Sequence, residues 1–376
     1  MNKIKIAHIL NSVGGVDVSL RLIIENIDPD KNDCFVIHGN KDTSKSFIDK
    51  KGDNIRDYKL PIQREISPIK DILSIIKTIK ILKKEKPNLI HAHSAKGGII
   101  AKTASLFYRT KVLHTPQAYS YLSARSRFKK SFFLMIEKFF KFKNSILLAS
   151  SNSELQRGTK EIGYKKSNAE LFNNSILPIQ IENKELKFNS TWPKNYICTV
   201  GRPSYQKNIE MMIEVLKEVK KQVPDIHLVL MGVGEYNPNI GSVKKLIDEY
   251  DLEANVTLVE WIDRKEIFKI ISTSKLYIST ARYEGLPYSI IESLALSKAC
   301  VVTNCDGNRD LVEDNYNGYV IDNNNAKEMA DKVIKLYNNE ELRKKMEENS
   351  KILFEEKFNM NNNIYKLEEL YQKYSS

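Results

Sequence analysis

The segment YICTVGRPSYQKNIEMMIEVLKEV, residues 196–219, joins a short β-rich run, a Gly/Pro turn and a helix with apolar residues at helical spacing. The same succession continues after it. Strands are expected near 226–231, 255–259, 276–279, 299–302 and 318–321, and helices near 208–222, 242–249, 264–273, 289–297 and 326–337. Strands that alternate with helices in this way predict a parallel sheet covered on both faces.

The first 175 residues follow the same pattern. A strand over 4–10 leads into the Gly14-Gly15 turn and a helix to about Ile27, and further strands are expected near 34–38, 88–92, 111–114 and 146–149. A long helix opens at Ser67-Pro68 and ends before Pro87. Its apolar residues at helical spacing are Ile69, Ile72, Leu73, Ile76, Ile79 and Leu82.

The pattern breaks at 173–194, a stretch with two prolines, several Asn and no clear period, which is typical of an interdomain linker. We therefore predict an α/β fold with two Rossmann-like domains around one cleft. The amino-terminal domain would span 1–175, the linker 176–194 and the carboxy-terminal domain 195–357. Parallel sheets of this kind bind ligands at the carboxyl ends of their strands.

Charge is unevenly distributed along the chain. Residues 1–180 hold 32 basic and 16 acidic side chains, whereas the remainder holds 27 and 31, and the net charge is +12. No apolar run approaches the roughly 20 residues that span a membrane, and the amino terminus has no signal-peptide cleavage site. The four cysteines show no close metal-ligand pairing, which is typical of reduced thiols in a cytosolic protein. No nucleic-acid-binding motif accompanies the basic half, so we exclude nucleic acid as a partner.

Two glutamates eight residues apart give the strongest functional signal. Glu284 falls in the Gly/Pro loop of STARYEGLPYSIIESLA, residues 279–295, and Glu292 falls inside the helix that follows. Such a loop leaves unpaired backbone N–H groups at a helix amino terminus, ready for a polar or anionic ligand. Carboxylates there can accept sugar hydroxyls. The alternative is that Glu284 caps a helix and Glu292 is a solvated charge.

Arg202 and Lys207 lie in the turn after the strand at 196–200. An Arg fork and a Lys point charge suit the oxyanions of a diphosphate. Neutralising a departing diphosphate is electrostatic catalysis of the kind that often dominates group transfer. Either residue alone could instead be a solvated loop charge.

The order of these motifs resembles the family 4 retaining glycosyltransferases of the GT-B fold, over nearly the whole chain. The G-R-x(4)-K-N segment at 201–208 and the E-G-L-P-x(4)-E segment at 284–292 carry the resemblance, and Gly14-Gly15 looks like the family's glycine turn after the first strand. The stretches 173–176 and 231–235 stand where the family has further turns. The resemblance implies that a carboxy-terminal helix, about 358–376, returns to the amino-terminal domain.

The resemblance also implies roles in a donor site. Arg202 and Lys207 would bind the nucleotide diphosphate and, together with Glu284, carry catalysis. Glu284 would contact the donor-sugar hydroxyls, and Glu292 would hold the ribose hydroxyls. The other donor-binding residues are expected to be Gly14, Gly15, Gly232, Gly234, Trp261, Ile262, Gly285, Leu286 and Pro287.

On the acceptor side, loops at 91–97 and 114–121 resemble those of the family, and the residues that they imply are His93, Lys96, His114, Gln117 and Tyr119. Many members have a second His where this chain has Gln117. Glutamine hydrogen-bonds but cannot act as a general base near neutral pH, which puts a His-assisted step at this position in question. His93 and His114 are acceptor-side candidates or, equally, satisfied strand-end histidines.

We predict no cofactor and no metal. Asp28-Pro-Asp30 matches the D-x-D of metal-dependent GT-A enzymes but lies in a polar loop before the second strand. Gly232-Val-Gly234 lacks the third glycine and the acidic partner of a dinucleotide site. With the diphosphate charge met by Arg202 and Lys207, no metal is required.

The segment 125–143 places seven Lys or Arg among six Phe. As a helix it would gather Phe132, Leu134, Met135, Phe139 and Phe142 on one apolar face flanked by lysines, which suits an anionic membrane surface. An ordinary sheet-covering helix with solvated lysines fits equally well.

The sequence therefore predicts a cytosolic, metal-independent retaining glycosyltransferase, peripheral on the inner face of the cell membrane if 125–143 binds lipid. Its donor would be a nucleotide diphosphate sugar, expected to be UDP-linked. Its acceptor would be a glycan or lipid-linked sugar in bacterial capsule, O-antigen or glycoconjugate synthesis. The alternatives are a GT-B sugar-nucleotide epimerase and a catalytically weak nucleotide-sugar-binding partner protein.

Overall fold

A computed structural model describes residues 3–63, 65–141, 144–181, 192–234 and 237–375 of the chain. It divides into two compact units, one of Met1–Ser175 with Met360–Ser376 and the other of Ile176–Asn359. Most of the predicted linker, 182–191, lies outside the described residues. At its start, Ile176 forms a β-bridge with Asn359 of the second unit.

The first unit is built on a seven-stranded parallel sheet. Its strands are β1 (Ile4–Ile9), β2 (Asn32–Gly39), β3 (Asp57–Leu60), β4 (Leu89–His93), β5 (Lys111–Thr115), β6 (Ser145–Ala149) and β7 (Ala169–Leu171). They lie in the order β3-β2-β1-β4-β5-β6-β7. The sequence prediction missed β3 and β7, because these edge strands are short and carry no apolar run.

Helices connect these strands. They are α1 (Gly15–Ile24), α2 (Pro68–Glu85), α3 (Ser94–Tyr108), α4 (Arg127–Phe139) and α5 (Asn152–Arg157), with 3₁₀ turns at Ser120–Ser123 and Lys166–Asn168 and a π-helical turn at Gly158–Ile162. Ser126 caps α4 by accepting the Lys129 N–H at 3.3 Å, and Ser151 caps α5 by accepting the Glu154 N–H at 3.1 Å.

The second unit is built on a six-stranded parallel sheet. Its strands are β8 (Ile197–Val200), β9 (Leu228–Met231), β10 (Val256–Val259), β11 (Leu276–Ser279), β12 (Cys300–Thr303) and β13 (Gly318–Ile321), in the order β10-β9-β8-β11-β12-β13. Its helices are α6 (Ile209–Lys220), α7 (Ile240–Glu249), α8 (Arg264–Thr273), α9 (Tyr288–Ala295), α10 (Asn308–Leu311), α11 (Ala326–Asn338) and α12 (Glu340–Lys357), with a 3₁₀ turn at Glu253–Asn255. The predicted α/β alternation is confirmed.

A last helix, α13 (Met360–Ser375), belongs to the first unit. Leu367, Tyr371 and Tyr374 of α13 pack with Ile6 and Leu89 of the first sheet in one buried apolar cluster. The predicted return of the carboxy-terminal helix to the amino-terminal domain is therefore confirmed.

The two faces of the first sheet carry different helices. The strand register puts Ala7, Ile90 and Val112 on one face, and the α2 and α3 side chains Leu82 and Ile100 share their cluster. The opposite face holds the cluster that contains α13. Helices α2 and α3 therefore cover one face, and α13 covers the other.

The apolar spacing of α2 misidentified the side that the sheet covers. Ile69, Ile72, Leu73 and Ile76 are exposed, whereas the buried residues of α2 are Ser74, Thr78, Leu82 and Glu85. The Glu85 carboxylate pairs with Lys5 at 2.8 Å and with Arg56 at 2.9 Å. Spacing locates an apolar stripe on a helix but does not say what faces it.

All four cysteines are free thiols, and Cys198, Cys300 and Cys305 are buried. Burial raises the pKa of Cys198 and of Cys305 to about 12, so both stay protonated near neutral pH. Among the described helices, none is both long and apolar enough to cross a lipid bilayer.

Candidate functional site

The predicted donor-site residues of the second unit gather at the carboxyl edge of its sheet. The turns after β8, β9, β10, β11 and β12 all lie there, because the strands are parallel. Backbone hydrogen bonds join neighbouring turns: Gly201 N–H donates to Met231 O at 2.9 Å, and Gly232 N–H donates to Val259 O at 3.0 Å. Residues far apart in sequence therefore form one surface.

Lys207 and Glu284 form an ion pair at the centre of this edge. Lys207 Nζ lies 2.8 Å from Glu284 Oε1, and Gln206 Nε2 donates to Glu284 Oε2 at 3.1 Å. Burial lowers the pKa of Lys207, but the nearby Glu284 carboxylate outweighs this and raises it, so the ammonium stays charged. Glu284 Oε1 is buried and accepts no directed hydrogen bond from the described residues. It can accept one from a ligand.

Hydrogen bonds fix the 201–208 turn to the loop that carries Glu284. Arg282 N–H donates to Gln206 O at 2.8 Å, and Arg282 Nη1 donates to Tyr205 O at 2.7 Å. Thr280 Oγ1 donates to Asn208 O at 2.9 Å. These hydrogen bonds join the backbones of the two segments. The backbone therefore holds Lys207 and Glu284 close together, and their proximity does not depend on side-chain conformation alone.

Gly307, in the loop after β12, allows the Glu284 loop to pack closely. Its φ is +77°, and a Cβ there would lie 2.5 Å from Gly285 O and 3.0 Å from Pro287 Cδ. Gly285 and the buried Leu286 lead to Pro287, the residue before α9. The first N–H groups of α9 have no intrahelical partners, so this turn presents donors and the positive end of a helix dipole.

Glu292, on α9, is buried and forms an ion pair and hydrogen bond with Arg264 at the start of α8. Burial raises the pKa of Glu292, and the Arg264 charge partly offsets this. Lys207 also acts electrostatically on Glu292. The structure therefore brings Lys207, Glu284 and Glu292 into one electrostatic site.

The turns after β9 and β10 form the other side of this edge. Gly232 has φ +92°, and a Cβ at Gly234 would lie 2.6 Å from Cδ1 and Nε1 of Trp261. The Trp261 ring therefore lies against the Gly234 backbone, and it is 77% exposed, with Ile262 half-buried beside it in sequence. An exposed aromatic ring of this kind can stack on a planar ligand. Glu235 lies outside the described residues.

Arg202 follows Gly201 directly and is exposed. Within the part of the chain that the structure describes, no ion pair involves it. Arg202 is thus a cation without an ion-pair partner among the described residues, and it lies close in sequence to Lys207, so the two could meet the two phosphates of a diphosphate.

In the first unit, Gly14 and Gly15 form the turn between β1 and α1 as predicted. Gly14 has φ +60° and ψ −133°, a conformation that favours glycine, and Gly15 is the first residue of α1. Asp17, in the first turn of α1, already has two partners: Ser12 Oγ donates to it at 2.6 Å and Arg21 Nε at 2.9 Å.

His93 belongs to a buried cluster with His8 and His91. His8 Nδ1 and His93 Nε2 lie 3.1 Å apart, and His91 is hydrogen-bonded to Tyr371 OH at 2.7 Å and to Thr115 Oγ1 at 3.0 Å. One nitrogen from each ring lies within 4.8 Å of the others, so the three could hold a metal ion. An ion would have to break these hydrogen bonds, because both His91 nitrogens are engaged. The arrangement fits a network of neutral imidazoles better than a metal site.

Burial lowers the pKa of every histidine in this region, that of His8 to about 3 and those of His91, His93 and His114 well below the usual value. His114 Nε2 donates to Ser94 O at 3.0 Å. For His114 the geometry favours the satisfied strand-end alternative. His93 Nδ1 has no hydrogen-bond partner among the described residues.

Gln117 and Ala118 form a strained turn after β5, with φ of +53° and +79°. Ala118 N–H donates to Glu154 Oε1 at 2.9 Å, and the Glu154 carboxylate is buried. Gln117 Nε2 is buried and has no hydrogen-bond partner among the described residues. Tyr119 is buried and stacks on Tyr121, so its side chain lies in the core.

Lys96, at the start of α3, is committed to other partners. Its ammonium lies 2.8 Å from Asp71 Oδ2 and donates to Glu65 O at 3.0 Å. Of the predicted acceptor-side residues, Lys96 is tied to α2, His93, His114 and Tyr119 are buried, and Gln117 lies in the strained turn. Their predicted role in acceptor binding stays a prediction.

The structure adds residues that sequence reasoning did not single out. Gln206 contacts Glu284 and lies within the quoted turn, so its place beside Lys207 was a usable signal. Gly307 and Arg264 had no local signal, because each acts on a loop or helix from another part of the sequence. Only the strand order brings them to this edge.

The chain matches known proteins over most of its length. The family model of glycosyl transferases group 1 matches residues 181–352, and that of glycosyltransferase family 4 matches residues 13–176. The chain is 26% identical to the UDP-Gal:alpha-D-GlcNAc-diphosphoundecaprenol alpha-1,3-galactosyltransferase of Escherichia coli, over 98% of this chain and 97% of that protein. It is 24% identical to the capsular polysaccharide biosynthesis glycosyltransferase CapM of Staphylococcus aureus, over 86% of this chain and 87% of that protein.

The fold agrees with these matches. The crystal structure of Alr3699/HepE from Anabaena, in complex with UDP and glucose, matches with a TM-score of 0.79 at 15% identity, over 99% of this chain and 100% of that chain. At this identity the likeness concerns the fold alone. Each of the two units is an α/β unit with a parallel sheet, and α13 returns to the first unit. Together with the two family models, these features show that the chain is a glycosyltransferase that belongs to family 4 and has the GT-B fold.

Proposed function

We propose that this enzyme transfers a sugar from a UDP-sugar to a lipid-linked or glycan acceptor in the synthesis of bacterial capsule, O-antigen or another glycoconjugate. The observation that carries the proposal is the Lys207–Glu284 pair, set among glycine turns beside Arg202 and Glu292. The names of the two relatives support the donor and acceptor classes, one a galactosyltransferase that uses UDP-Gal and a diphosphoundecaprenol-linked sugar, the other a capsule enzyme.

The donor site would have to stabilise a diphosphate as it leaves the sugar. The bond between the anomeric carbon and the β-phosphate oxygen breaks, and its electron pair leaves with UDP. Arg202 and Lys207 would stabilise this charge as it develops, at the position where another enzyme could use a metal ion. Transfer without a metal, and with retention of the anomeric configuration, therefore completes the proposal. Retention rests on the resemblance to the family.

Glu284 would change partners when the donor binds. In this structure its Oε1 neutralises Lys207 at 2.8 Å. A diphosphate would compete for the Lys207 ammonium, and Glu284 would then accept hydrogen bonds from sugar hydroxyls through the oxygen that has no directed bond. Glu292 would hold the ribose hydroxyls, with the Arg264 charge opposing the rise in the pKa of Glu292 that burial causes.

The acceptor hydroxyl must lose a proton as its oxygen bonds to the anomeric carbon. Gln117 cannot take this proton, and His93 and His114 are buried with lowered pKa. We propose that the proton passes to the departing phosphate oxygen. The acceptor would bind near the turns that follow β4 and β5.

The 125–143 segment would bring the enzyme to an anionic membrane. Within its described part, α4 exposes Phe128, Phe132, Met135 and Phe139, while Phe133 and Leu134 pack inward on the cluster that contains Tyr119. The predicted apolar face is thus shifted, since Leu134 faces inward and Phe128 outward. Phe142 lies outside the described residues. Lysines flank the exposed ring surfaces, as in interfacial helices.

A panel of nucleotide sugars, each incubated with the full-length enzyme and analysed by mass spectrometry, tests the proposal. Turnover of a UDP-sugar that persists in EDTA and yields a retained product, seen by the NMR coupling of the anomeric proton, supports it. An epimerised nucleotide sugar, or binding without turnover, would support one of the two alternatives. Turnover that stops in EDTA and returns with a divalent cation overturns metal independence.

Variants locate the chemistry. Lys207→Ala and Glu292→Ala should abolish transfer while the folded chain persists in circular dichroism. Lys221→Ala is the matched control, because it removes a lysine from an exposed ion pair with Glu218 in the same unit. Full activity in either site variant would show that these residues do not form the donor site.

A further inference from the structure

Helix α2 exposes an apolar stripe that its own unit does not cover. Ile69, Ile72, Leu73 and Ile76 recur at intervals of three and four residues, so they share one side of the helix. All four are exposed, Ile69 to 75%. Soluble surfaces rarely gather large apolar side chains in this way, and contiguous patches of them mark interaction sites.

Helix α4 exposes a second stripe of the same kind. Phe128, Phe132, Met135 and Phe139 lie at intervals of three and four residues, and Phe128 is 82% exposed. The inward side of α4 packs through Phe133 and Leu134. The outward side is therefore the apolar one on α4 as well as on α2.

Strand register places these two helices on the same face of the sheet. Ala92 pairs with His114 and His114 pairs with Leu147, so the three side chains point to one face. Helix α2 packs in the cluster that contains Ala92, and α4 packs in the cluster that contains Leu147. The outward sides of α2 and α4 thus look away from the sheet in the same direction, with α3 between them.

The charge of these helices is strongly one-sided. Helices α2, α3 and α4 hold eleven Lys or Arg and three carboxylates. The three carboxylates are not free on the surface: Asp71 pairs with Lys96 at 2.8 Å, and Glu85 and Glu137 are buried. Of the eleven basic residues, Lys102 is buried and Lys96 is the partner of Asp71, so nine remain. These nine cations border the apolar stripes without opposing surface charge from the three helices.

We propose that the outward faces of α2 and α4 form a single docking surface for an anionic phospholipid bilayer. The inference deepens the proposed function, on which it rests for the membrane contact of 125–143. Two stripes on one face would bury more apolar area than α4 alone, and they would fix the orientation of the first unit on the bilayer instead of leaving it free to turn about one helix.

Charge complementarity favours lipid over a second copy of the chain. Two such faces would bring the exposed basic residues of each copy, a set that excludes the buried Lys102, against those of the other, and like-charge repulsion opposes this. Anionic lipid headgroups attract the same residues. The apolar side chains would enter the boundary between headgroups and acyl chains, and the lysines would lie at the headgroups.

Co-sedimentation of the full-length protein with vesicles tests the surface. The vesicles contain phosphatidylcholine alone or with about 30% phosphatidylglycerol, at low and high salt. The α2 variant is Ile69→Ser/Ile72→Ser/Ile76→Ser, and the α4 variant is Phe128→Ser/Phe132→Ser/Phe139→Ser. Ile352→Ser, at an exposed isoleucine of the second unit, is the control. Thermal unfolding and UDP binding, both expected at wild-type values, show that each variant is folded.

We expect wild type to bind anionic vesicles, salt to weaken binding, and each triple variant to lose about tenfold or more in affinity, with the control unchanged. If only the α4 variant loses binding, the two-helix surface is wrong and the contact through 125–143 stands. If wild type binds no vesicle, both are wrong, while UDP binding still tests the donor site. If the α2 variant abolishes a dimer in sedimentation equilibrium and leaves vesicle binding intact, the face of α2 joins two copies instead.

Discussion

Substituting Gly307 by Ala tests the donor site with a single added carbon. The left-handed φ of +77° costs a non-glycine residue roughly 1–2 kcal/mol. The added Cβ would lie 2.5 Å from Gly285 O and 3.0 Å from Pro287 Cδ, and overpacking of this kind costs roughly 1–3 kcal/mol more. We therefore expect Gly307→Ala to lower the free energy of unfolding by about 2–5 kcal/mol.

Relief of this clash would also change binding. Ordinary contacts between carbon atoms are about 3.5–4.0 Å, so the 285–287 backbone would retreat by roughly 1 Å. That movement withdraws the Glu284 loop and the first N–H groups of α9 from the ligand. Displacements of about 1 Å near reacting groups can cost about 100-fold in rate. UDP affinity, measured by isothermal titration calorimetry, should fall by about tenfold or more, with transfer falling further.

Gly52→Ala is the matched control, because Gly52 also has a left-handed φ, +87°, but no atom lies within 4 Å of its added Cβ. In urea unfolding, the free energy of unfolding of Gly52→Ala should fall only by the cost of the left-handed φ, roughly 1–2 kcal/mol. This variant should bind UDP as wild type does. The reasoning is refuted if the two variants lose equal stability and Gly307→Ala still binds UDP with wild-type affinity. That result would mean that the Gly285 turn does not form part of the donor site.

Three further predictions concern buried polar groups. Arg264→Met leaves the Glu292 carboxylate buried without its partner, so UDP binding should weaken. The free energy of unfolding at pH 7, measured by urea titration, should fall by about 1–3 kcal/mol, less than for a fully buried pair because the Arg264 side chain is 41% exposed. Unchanged UDP binding would contradict this prediction. Tyr371→Phe removes the O–H bonded to His91 and should cost about 1–2 kcal/mol in the same assay, with UDP affinity unchanged. Four of the five buried histidines of the first unit, His8, His91, His93 and His114, have a lowered pKa, that of His8 about 3. Their stability contribution is complete above pH 6.5 and is lost as the pH falls below it, by up to about 1.4 kcal/mol per pH unit for each histidine. Burial lowers the pKa of the fifth, His38, but its hydrogen bonds to Asp42 and Asp57 outweigh this and raise it, so His38 offsets only part of the loss. A urea midpoint that does not fall between pH 7 and pH 5 would count against the prediction.

The second unit was predictable from its sequence because its signals are local. The apolar strands and helices recur at short spacing, and each predicted one lies within a few residues of its position in the structure. Lys207 and Glu284 follow β8 and β11, which are neighbours in the sheet. Once strands are parallel, residues that follow adjacent strands share an edge, so the proximity of Lys207 and Glu284 could be predicted without coordinates.

The acceptor side was less predictable because burial is not a local property. His93, His114 and Tyr119 stand in a region that resembles the family's acceptor loops, yet the side chains lie in the core. The same limit applies to α2, where Ile69 and its neighbours are exposed while Ser74 and Thr78 face inward. Periodicity defines a stripe, and only packing decides whether sheet or solvent meets it.

The sequence by itself determined the two α/β units, the two motifs that contain Lys207 and Glu284, and the division into a basic and a slightly acidic half, since these follow from residue order, spacing and charge alone. Only the tertiary structure decided that Gly307 supports the Gly285 turn, that Arg264 holds Glu292, and that the apolar faces of α2 and α4 point the same way. Each of these depends on which strands become neighbours. Contacts between residues distant along the chain are set by sheet order and register, which no single segment encodes.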